Sequence, residues 1–261
     1  MKPYCVPEKT EKYTGYDMIR KHTDVPALPD ARLRLLHTFL EASDLAAKSE
    51  VYGTVTALLQ NGLDIHDRVE PGDDSEEEEA MRSRQLKVLA GDYYSSRFYQ
   101  LLAAAGEIGM IAELSRAIAD VNRSKMELYL RIQSGQAPEL REYLDEAAAI
   151  KARLFEGFDV LLDGPLLPYW RTLLPLVGLC EAAVDELAAA EPGSAGSTFR
   201  RDLEVQGTSE SRETLAALLL EFTERLDSEI KALPGEVNRE ALLPLAARFR
   251  NAAEIKGEVN G

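Results

Sequence analysis

The stretch Val88-Leu89-Ala90-Gly91-Asp92-Tyr93-Tyr94-Ser95-Ser96-Arg97-Phe98-Tyr99 decides how the rest of this chain is interpreted. A glycine and an aspartate interrupt an apolar pattern of helical spacing, and three tyrosines and a phenylalanine follow them. Such a run is by itself compatible with a helix packed in a core. Its meaning depends on three other segments, which are Ile65 to Val69 upstream, Lys151 to Phe155 downstream and Gly178 to Leu187 farther on.

Composition and charge narrow the class of protein. The chain has 261 residues, 45% of them hydrophobic, and a net charge of −15. The apolar share is enough for a sizeable core, and the charge argues against nucleic acid or an anionic membrane surface as the main partner. Cys5 and Cys180 form no metal-ligand pattern and predict reduced thiols. Because no signal peptide or bilayer-spanning run is evident, we predict a soluble, cytoplasmic protein without a transmembrane segment.

Apolar residues recur at helical spacing along most of the chain and predict an all-α, single-domain helical bundle. We expect an N-cap at Asp30 to start one helix and a second helix to run from near Asp44 toward Ile65. Later helices are expected on either side of Gly106 and Gly109, and over 139–162, 169–190, 211–232 and 238–254. One intermediate segment carries an apolar seam that predicts burial against another helix: Ile111, Leu114, Ile118, Val121 and Leu128.

The N-terminal segment and the predicted loops differ in composition from the predicted helices. Residues 1–28 contain three prolines and little periodicity, and they predict an N-terminal arm or short helix rather than core. The helical domain is expected over 29–261, with a mobile loop at 191–210. Asp73, Asp74 and the run Glu76 to Glu79 surround Ser75, which fits a capping box with Glu78. A calcium loop is the alternative, but the alternating ligands and central glycine of such a loop are missing.

Few residues fit a known catalytic pattern. The chain has no phosphate-cradling glycine loop, zinc-ligand cluster or nucleophile elbow. His22 and His37 lack an acidic or thiol partner at ligand spacing. His66 lies next to Asp67, and this pattern is also typical of a helix end.

Residues 58–103 nevertheless resemble the first conserved region of the trans-polyprenyl diphosphate synthases. In that family a helix ends in D-D-x-x-D, commonly after Ile/Val-His, and a segment close to V-L-x-G-D-Y-L-L-S-R-A follows. Ile65-His66-Asp67 matches the approach to the motif, and Val88 to Arg97 matches the later segment. The motif itself departs from the pattern, since Asp67 to Pro71 keeps one carboxylate of three. The run Glu76 to Glu79 replaces the paired arginines of the family.

Two later segments resemble the same family in the same order. Lys151 to Phe155 keeps the lysine of a Lys-Thr site but not the threonine. From Gly178 onward the chain aligns with G-x-x-F-Q-x-x-D-D-x-x-D. Here Glu181-Ala182 stands for Phe-Gln, and Asp185, Glu186 and Ala189 stand for the aspartates.

These departures matter because ionising an allylic diphosphate needs Mg²⁺ ions that bridge carboxylates to the departing group. Arg68 places a cation where a metal should lie, and Pro71 has no ligating side chain. We therefore expect no catalytic residue, metal site or cofactor on this chain. The chain resembles component 1, the small subunit of two-component heptaprenyl (or hexaprenyl) diphosphate synthases of Gram-positive bacteria.

This resemblance implies a degenerate isoprenoid-synthase fold and a partner, component 2, that carries the intact motifs and Mg²⁺. Together they would add isopentenyl diphosphate to farnesyl diphosphate to make a precursor of the menaquinone side chain, with this chain helping to set product length. The candidates for contact with the polyprenyl product chain or with the partner are Leu59, Leu63, Tyr93, Tyr94, Phe98 and Tyr99. The relic positions of the diphosphate site are Asp67, Asp92, Lys151 and Asp185.

Alternative interpretations stay open at this point. Each aromatic residue could serve core packing, and Asp67 and Asp92 could serve helix ends or caps. The whole chain could be a stand-alone helical binding or scaffold protein derived from a prenyl synthase. It could also be an active terpenoid enzyme with a metal site rebuilt from Asp64, Asp67 and Asp92.

Overall fold

The computed structural model describes residues 2–23, 25–69, 78–162, 164–189 and 212–255. Within these ranges the chain is helical, with no strand. None of the described helices combines the length and apolarity needed to cross a bilayer. The ten helices of the described residues are α1 Val6–Thr14, α2 Asp17–His22, α3 Asp30–Glu41, α4 Ser49–His66, α5 Glu78–Ala104, α6 Ile108–Gln133, α7 Leu140–Glu156, α8 Leu167–Ala189, α9 Arg212–Ala232 and α10 Arg239–Ile255.

The residues up to Glu113 form one compact unit, in which α4 is the central helix. Helix α4 packs against α1, α3 and α5, and it is buried along most of its length. Gly53 allows α1 to come close, because a Cβ atom there would lie 2.6 Å from Cγ2 of Val6. Val6 is itself buried. The first 28 residues therefore contain two helices, and α1 contributes to the core of this unit.

Helix α5 runs antiparallel to α4 and has an inner and an outer face. Gly62 of α4 lies near Gly91, Tyr94 and Ser95, while His66 at the end of α4 lies against Gly91. The inner face repeats every four residues and is fully buried at Tyr94, Phe98 and Leu102. Such spacing places side chains on one side of a helix, so the inner face supplies apolar surface to the core.

The residues from Leu114 onward form the second compact unit, in which α8 packs against α7, α9 and α10. Trp170 is the largest fully buried side chain, near the start of α8. Gly178 brings α8 close to α7, because a Cβ atom there would lie 2.9 Å from the carbonyl oxygen of Ala148. Of the predicted seam, Leu114, Val121 and Leu128 are buried, and Ile111 and Ile118 are half-buried.

Several predicted helix boundaries are wrong. Pro29 rather than Asp30 is the N-cap of α3, and the Asp30 carboxylate instead accepts hydrogen bonds from Tyr4 and Arg34. Helix α4 begins at Ser49 rather than near Asp44, because turns occupy 42–48. Helix α7 ends at Glu156, and Gly109 lies inside α6.

Two sequence predictions concern residues that the structure describes only in part or not at all. The predicted mobile loop at 191–210 lies outside the described residues. Of the acidic run, Glu78 and Glu79 occupy the first turn of α5, where negative charge suits the helix dipole. Ser75 and the rest of the run lie outside the described residues.

Candidate functional site

Asp67 and Arg68 lie exposed where α4 ends. The backbone N–H of Asp67 donates to the carbonyl of Leu63 at 3.1 Å, so Asp67 closes the last turn. A carboxylate at this end of a helix faces the negative pole of the dipole, and nearby cations offset that charge. Lys87 of α5 supplies one such cation and donates from Nζ to the carbonyl of Arg68 at 3.3 Å. The relic position Asp67 therefore lies at the end of α4, next to the Arg68 carbonyl that Lys87 contacts.

His66 and Asp92 form a second polar contact between α4 and α5. The imidazole Nε2 lies 3.6 Å from Oδ1 of Asp92, which is an ion pair whenever the ring is protonated. The ring rests on Gly91, and an added Cβ atom there would lie 2.6 Å from Cε1 of His66. The glycine of the opening stretch thus allows this close approach between the helices.

Lys151 and Asp185 are brought together in the second unit. Nζ of Lys151 on α7 lies 2.6 Å from Oδ2 of Asp185 on α8. The lysine side chain is 26% exposed and the aspartate 61%, so the pair contributes up to about 1 kcal/mol to stability. The two relic positions from separate motifs therefore neutralise each other.

Glu186, the neighbour of Asp185, is held in a different way. Its side chain is 6% exposed, and Oε1 accepts a hydrogen bond of 2.8 Å from the hydroxyl of Tyr143 on α7. A buried carboxylate needs such a partner because burial removes its water. Both acidic residues at the start of the second relic motif are thus engaged by side chains of α7.

Asp64, Asp67 and Asp92 do not assemble into a metal site. Oδ1 of Asp64 accepts a hydrogen bond of 2.7 Å from Gln60, within α4. Among the described residues, no group of three or more histidine, cysteine, aspartate or glutamate side chains could hold a metal ion. Asp64, Asp67 and Asp92 therefore form no such group in the described part of the chain.

The product-tunnel or interface candidates divide by burial. Leu59, Tyr94 and Phe98 are at most 1% exposed, and Leu63 is also buried. Tyr93 is half-buried and contacts the ring of Tyr16 edge to face, with ring centroids 5.5 Å apart. The four aromatic residues of the opening stretch do not share one environment, because Tyr99 is 48% exposed. Their contact with a product or a partner stays a prediction.

A second side of α5, about a quarter turn from the inner face, carries an apolar surface that we call the outer face of α5. Met81, Val88 and Tyr99 are spaced by seven and eleven residues, which places them on one side of a helix. Leu89 lies beside them and is 60% exposed. Exposed apolar side chains grouped on one helix are typical of a surface that contacts another molecule.

Tyr143 is a site residue that sequence reasoning missed. It precedes Lys151 by eight residues on α7, and residues four and eight apart lie on the same side of a helix. This spacing, set beside the adjacent Asp185 and Glu186, is a signal that could have identified the pair. Sequence reasoning also missed Arg32, which is buried in α3 and donates a hydrogen bond of 3.2 Å to Gln60. No sequence pattern indicates this contact.

Comparison with known proteins identifies the family. The model of the family "Heptaprenyl diphosphate synthase (HEPPP synthase) subunit 1" matches residues 16–172, which is more than half of the chain. The chain belongs to this family. The family match includes the opening stretch, the α4–α5 contacts and Lys151.

A curated relative and a solved structure agree with this assignment. The chain is 41% identical over 89 residues to heptaprenyl diphosphate synthase component 1 of Geobacillus stearothermophilus. That match covers 34% of the chain and 38% of the relative's length. The structure is similar to a decaprenyl diphosphate synthase from Rhodobacter capsulatus, with a TM-score of 0.63 and 13% identity over 97% of this chain and 94% of that one. At this identity the likeness shows the isoprenoid-synthase helical fold.

Proposed function

We propose that this chain is the non-catalytic small subunit of a heteromeric heptaprenyl diphosphate synthase. Its partner is a component 2 that carries the intact aspartate motifs and binds Mg²⁺. The complex adds isopentenyl diphosphate repeatedly to farnesyl diphosphate in the cytoplasm and supplies the side chain of menaquinone. The names of the family and of the relative, subunit 1 and component 1, support a second component.

One observation carries the non-catalytic role: side chains of α7 already engage the carboxylates of the second relic motif. Lys151 holds Asp185 at 2.6 Å, and Tyr143 holds Glu186 at 2.8 Å. Departure of diphosphate from an allylic carbon requires metal ions between carboxylates and the phosphate oxygens. A lysine ammonium paired with the carboxylate competes with a metal ion for the same oxygen atoms. These contacts support placing catalysis on the partner.

The outer face of α5 supports the partner role. A chain that acts alone gains nothing from exposing Leu89 and Tyr99, since apolar surface in water costs about 25 cal/mol per Å². Burying that face against component 2 would recover this free energy. Tyr94 and Phe98 on the inner face of the same helix are buried in the core. We therefore propose that α5 connects the core of this subunit to the partner.

Reconstitution tests the proposal. The purified chain, component 2 encoded in the same genome and their mixture are each incubated with farnesyl diphosphate, labelled isopentenyl diphosphate and Mg²⁺. We expect long-chain product from the mixture, no turnover by this chain alone, and loss of all product when the metal is chelated. Product chain length is measured by chromatography of the dephosphorylated alcohols.

Two outcomes contradict the proposal. Turnover by this chain alone would show that it is catalytic. Absence of a complex in the mixture, with component 2 active by itself and its product unchanged, would favour a stand-alone binding or scaffold protein.

A further inference from the structure

Helix α6 has an exposed side in the part that belongs to the second unit, from Leu114 onward. Residues spaced alternately by four and three lie on one side of a helix, and on this side they are all uncharged, in a chain that is 29% charged. Met126 is 55% exposed, Tyr129 38% and the adjacent Leu130 57%. We call this surface the exposed seam of α6, and it consists of Ser115, Ala119, Asn122, Met126, Tyr129 and Gln133.

The exposed seam has a small end and a large end. Ser115 and Ala119 precede Asn122, whereas Met126 and Tyr129 follow it. When two copies of α6 lie antiparallel across a two-fold axis near Asn122, the small end of each copy meets the large end of the other. Large side chains opposite small ones interdigitate without voids. A parallel pair would instead crowd the large ends together and leave a gap between the small ones.

The charged residues beside the exposed seam have the same two-fold symmetry. Along one edge they are Arg116, Asp120, Arg123 and Glu127, spaced by four, three and four. In the antiparallel pair Arg116 faces Glu127 of the second copy, and Asp120 faces its Arg123. The axis repeats each of these contacts. Within one copy Asp120 and Arg123 already form an ion pair, with an N–O distance of 3.0 Å. The edge therefore matches a second copy of itself in charge as well as in size.

We propose that the exposed seam of α6 binds a second copy of this chain in an antiparallel, two-fold symmetric pair. Burial of Met126, Tyr129 and Leu130 removes exposed apolar surface from water and drives the association. The pair is weak and depends on concentration, because one helix pair buries less than the roughly 1,600 Å² of a standard interface. This proposal does not rest on the proposed function, since it uses neither the relic motifs nor the outer face of α5.

Sedimentation equilibrium of the full chain, without component 2, tests the association at micromolar and higher concentrations. We expect a monomer–dimer equilibrium. Met126→Glu should weaken it at least about tenfold, because a charge enters an apolar contact. Val160→Glu is the matched control, since Val160 is also 55% exposed but lies outside α6, and it should leave the equilibrium unchanged.

A charge swap tests the antiparallel arrangement. Arg116→Glu sets two acidic groups against each other at both symmetric contacts, and Glu127→Arg sets two basic groups there. Each variant alone should therefore associate about tenfold more weakly than the parent. An equimolar mixture of the two variants places opposite charges at both contacts. We expect this mixture to form mixed dimers with the affinity of the parent.

Three outcomes overturn the proposal. The first is a chain that stays monomeric at every concentration, including the case in which Met126→Glu blocks binding of component 2 and so assigns the seam to that partner. The second is a dimer that Met126→Glu leaves intact. The third is a mixture of the charge variants that associates no better than either alone. Thermal unfolding should be unchanged in all variants, because Arg116, Met126 and Glu127 are exposed, and this measurement excludes a folding defect.

Discussion

Tyr94 shows how one residue of the opening stretch serves the core. Its side chain is fully buried, and its hydroxyl has no hydrogen-bond partner among the described residues. Burial raises the pKa of Tyr94 to about 12, because the phenolate would lose its hydration there. We expect Tyr94→Phe to raise the free energy of unfolding by about 1 kcal/mol, since it removes an unsatisfied polar atom. Urea unfolding measures this, and a less stable variant would reveal a hidden partner.

Gly91 and His66 give a second prediction for single residues. Alanine in place of glycine inside a helix normally adds about 1 kcal/mol of stability. At position 91 the new methyl group would strike the imidazole, so Gly91→Ala alone should not be stabilising. In a His66→Ala background the same change should recover the full gain. A double-mutant cycle of unfolding free energies measures the coupling, and additive effects would contradict the contact.

At the scale of the helices, Glu107 connects α4 to the start of α6. Its carboxylate accepts hydrogen bonds from Lys48 and from the hydroxyl of Tyr52, and these bonds lower the pKa of Glu107 below its usual 4.5. A lowered carboxyl pKa stabilises the fold above the unfolded-state pKa, and this contribution is lost as the pH falls through the lower folded pKa.

Glu107→Gln tests that linkage. The amide keeps a hydrogen-bond acceptor but no charge, so stability should fall near neutral pH and change less between neutrality and pH 3. Thermal unfolding across this range compares the variant with the parent. Equal slopes in both proteins would show that Glu107 has an ordinary pKa.

Helix boundaries show what sequence alone could predict. The extents of α8, α9 and α10 lie within two residues of the predicted ones, because apolar spacing and flanking prolines mark them. Asp30 failed as an N-cap because its carboxylate pairs with Tyr4, which is distant in sequence. The start of α4 was misplaced because the Ser43 hydroxyl accepts the Leu45 N–H and stabilises a local turn.

The candidate site was predictable in position but not in pairing. The motif order identified Lys151 and Asp185, yet neither segment shows that the two side chains meet. Their contact depends on Gly178, which lets α7 and α8 approach. We expect Gly178→Ala to lower the free energy of unfolding by about 1–3 kcal/mol, because the methyl group meets backbone atoms that cannot move aside. Chemical denaturation measures the change, with Gly109→Ala in an open part of α6 as the control.

At the scale of the whole molecule, the outer face of α5 predicts how the proposed complex forms. Leu89→Glu should weaken assembly with component 2 about tenfold or more and reduce prenyl transfer equally, because it places a charge in an apolar interface. The isolated chain should unfold at an unchanged temperature, since Leu89 is exposed. Leu243→Glu on α10 is the control. Normal assembly of the Leu89 variant would place the interface elsewhere.

The contacts between α7 and α8 also bear on how this chain can evolve. A single replacement that returns an aspartate to the second motif leaves Lys151 on Asp185 and Tyr143 on Glu186. Such a step adds negative charge and completes no metal site, so selection has no gain in activity to retain. Under the proposed function, a return to catalysis would need changes at several positions on two helices. The proposed dependence on a partner is therefore hard to reverse while Lys151 and Tyr143 hold these carboxylates.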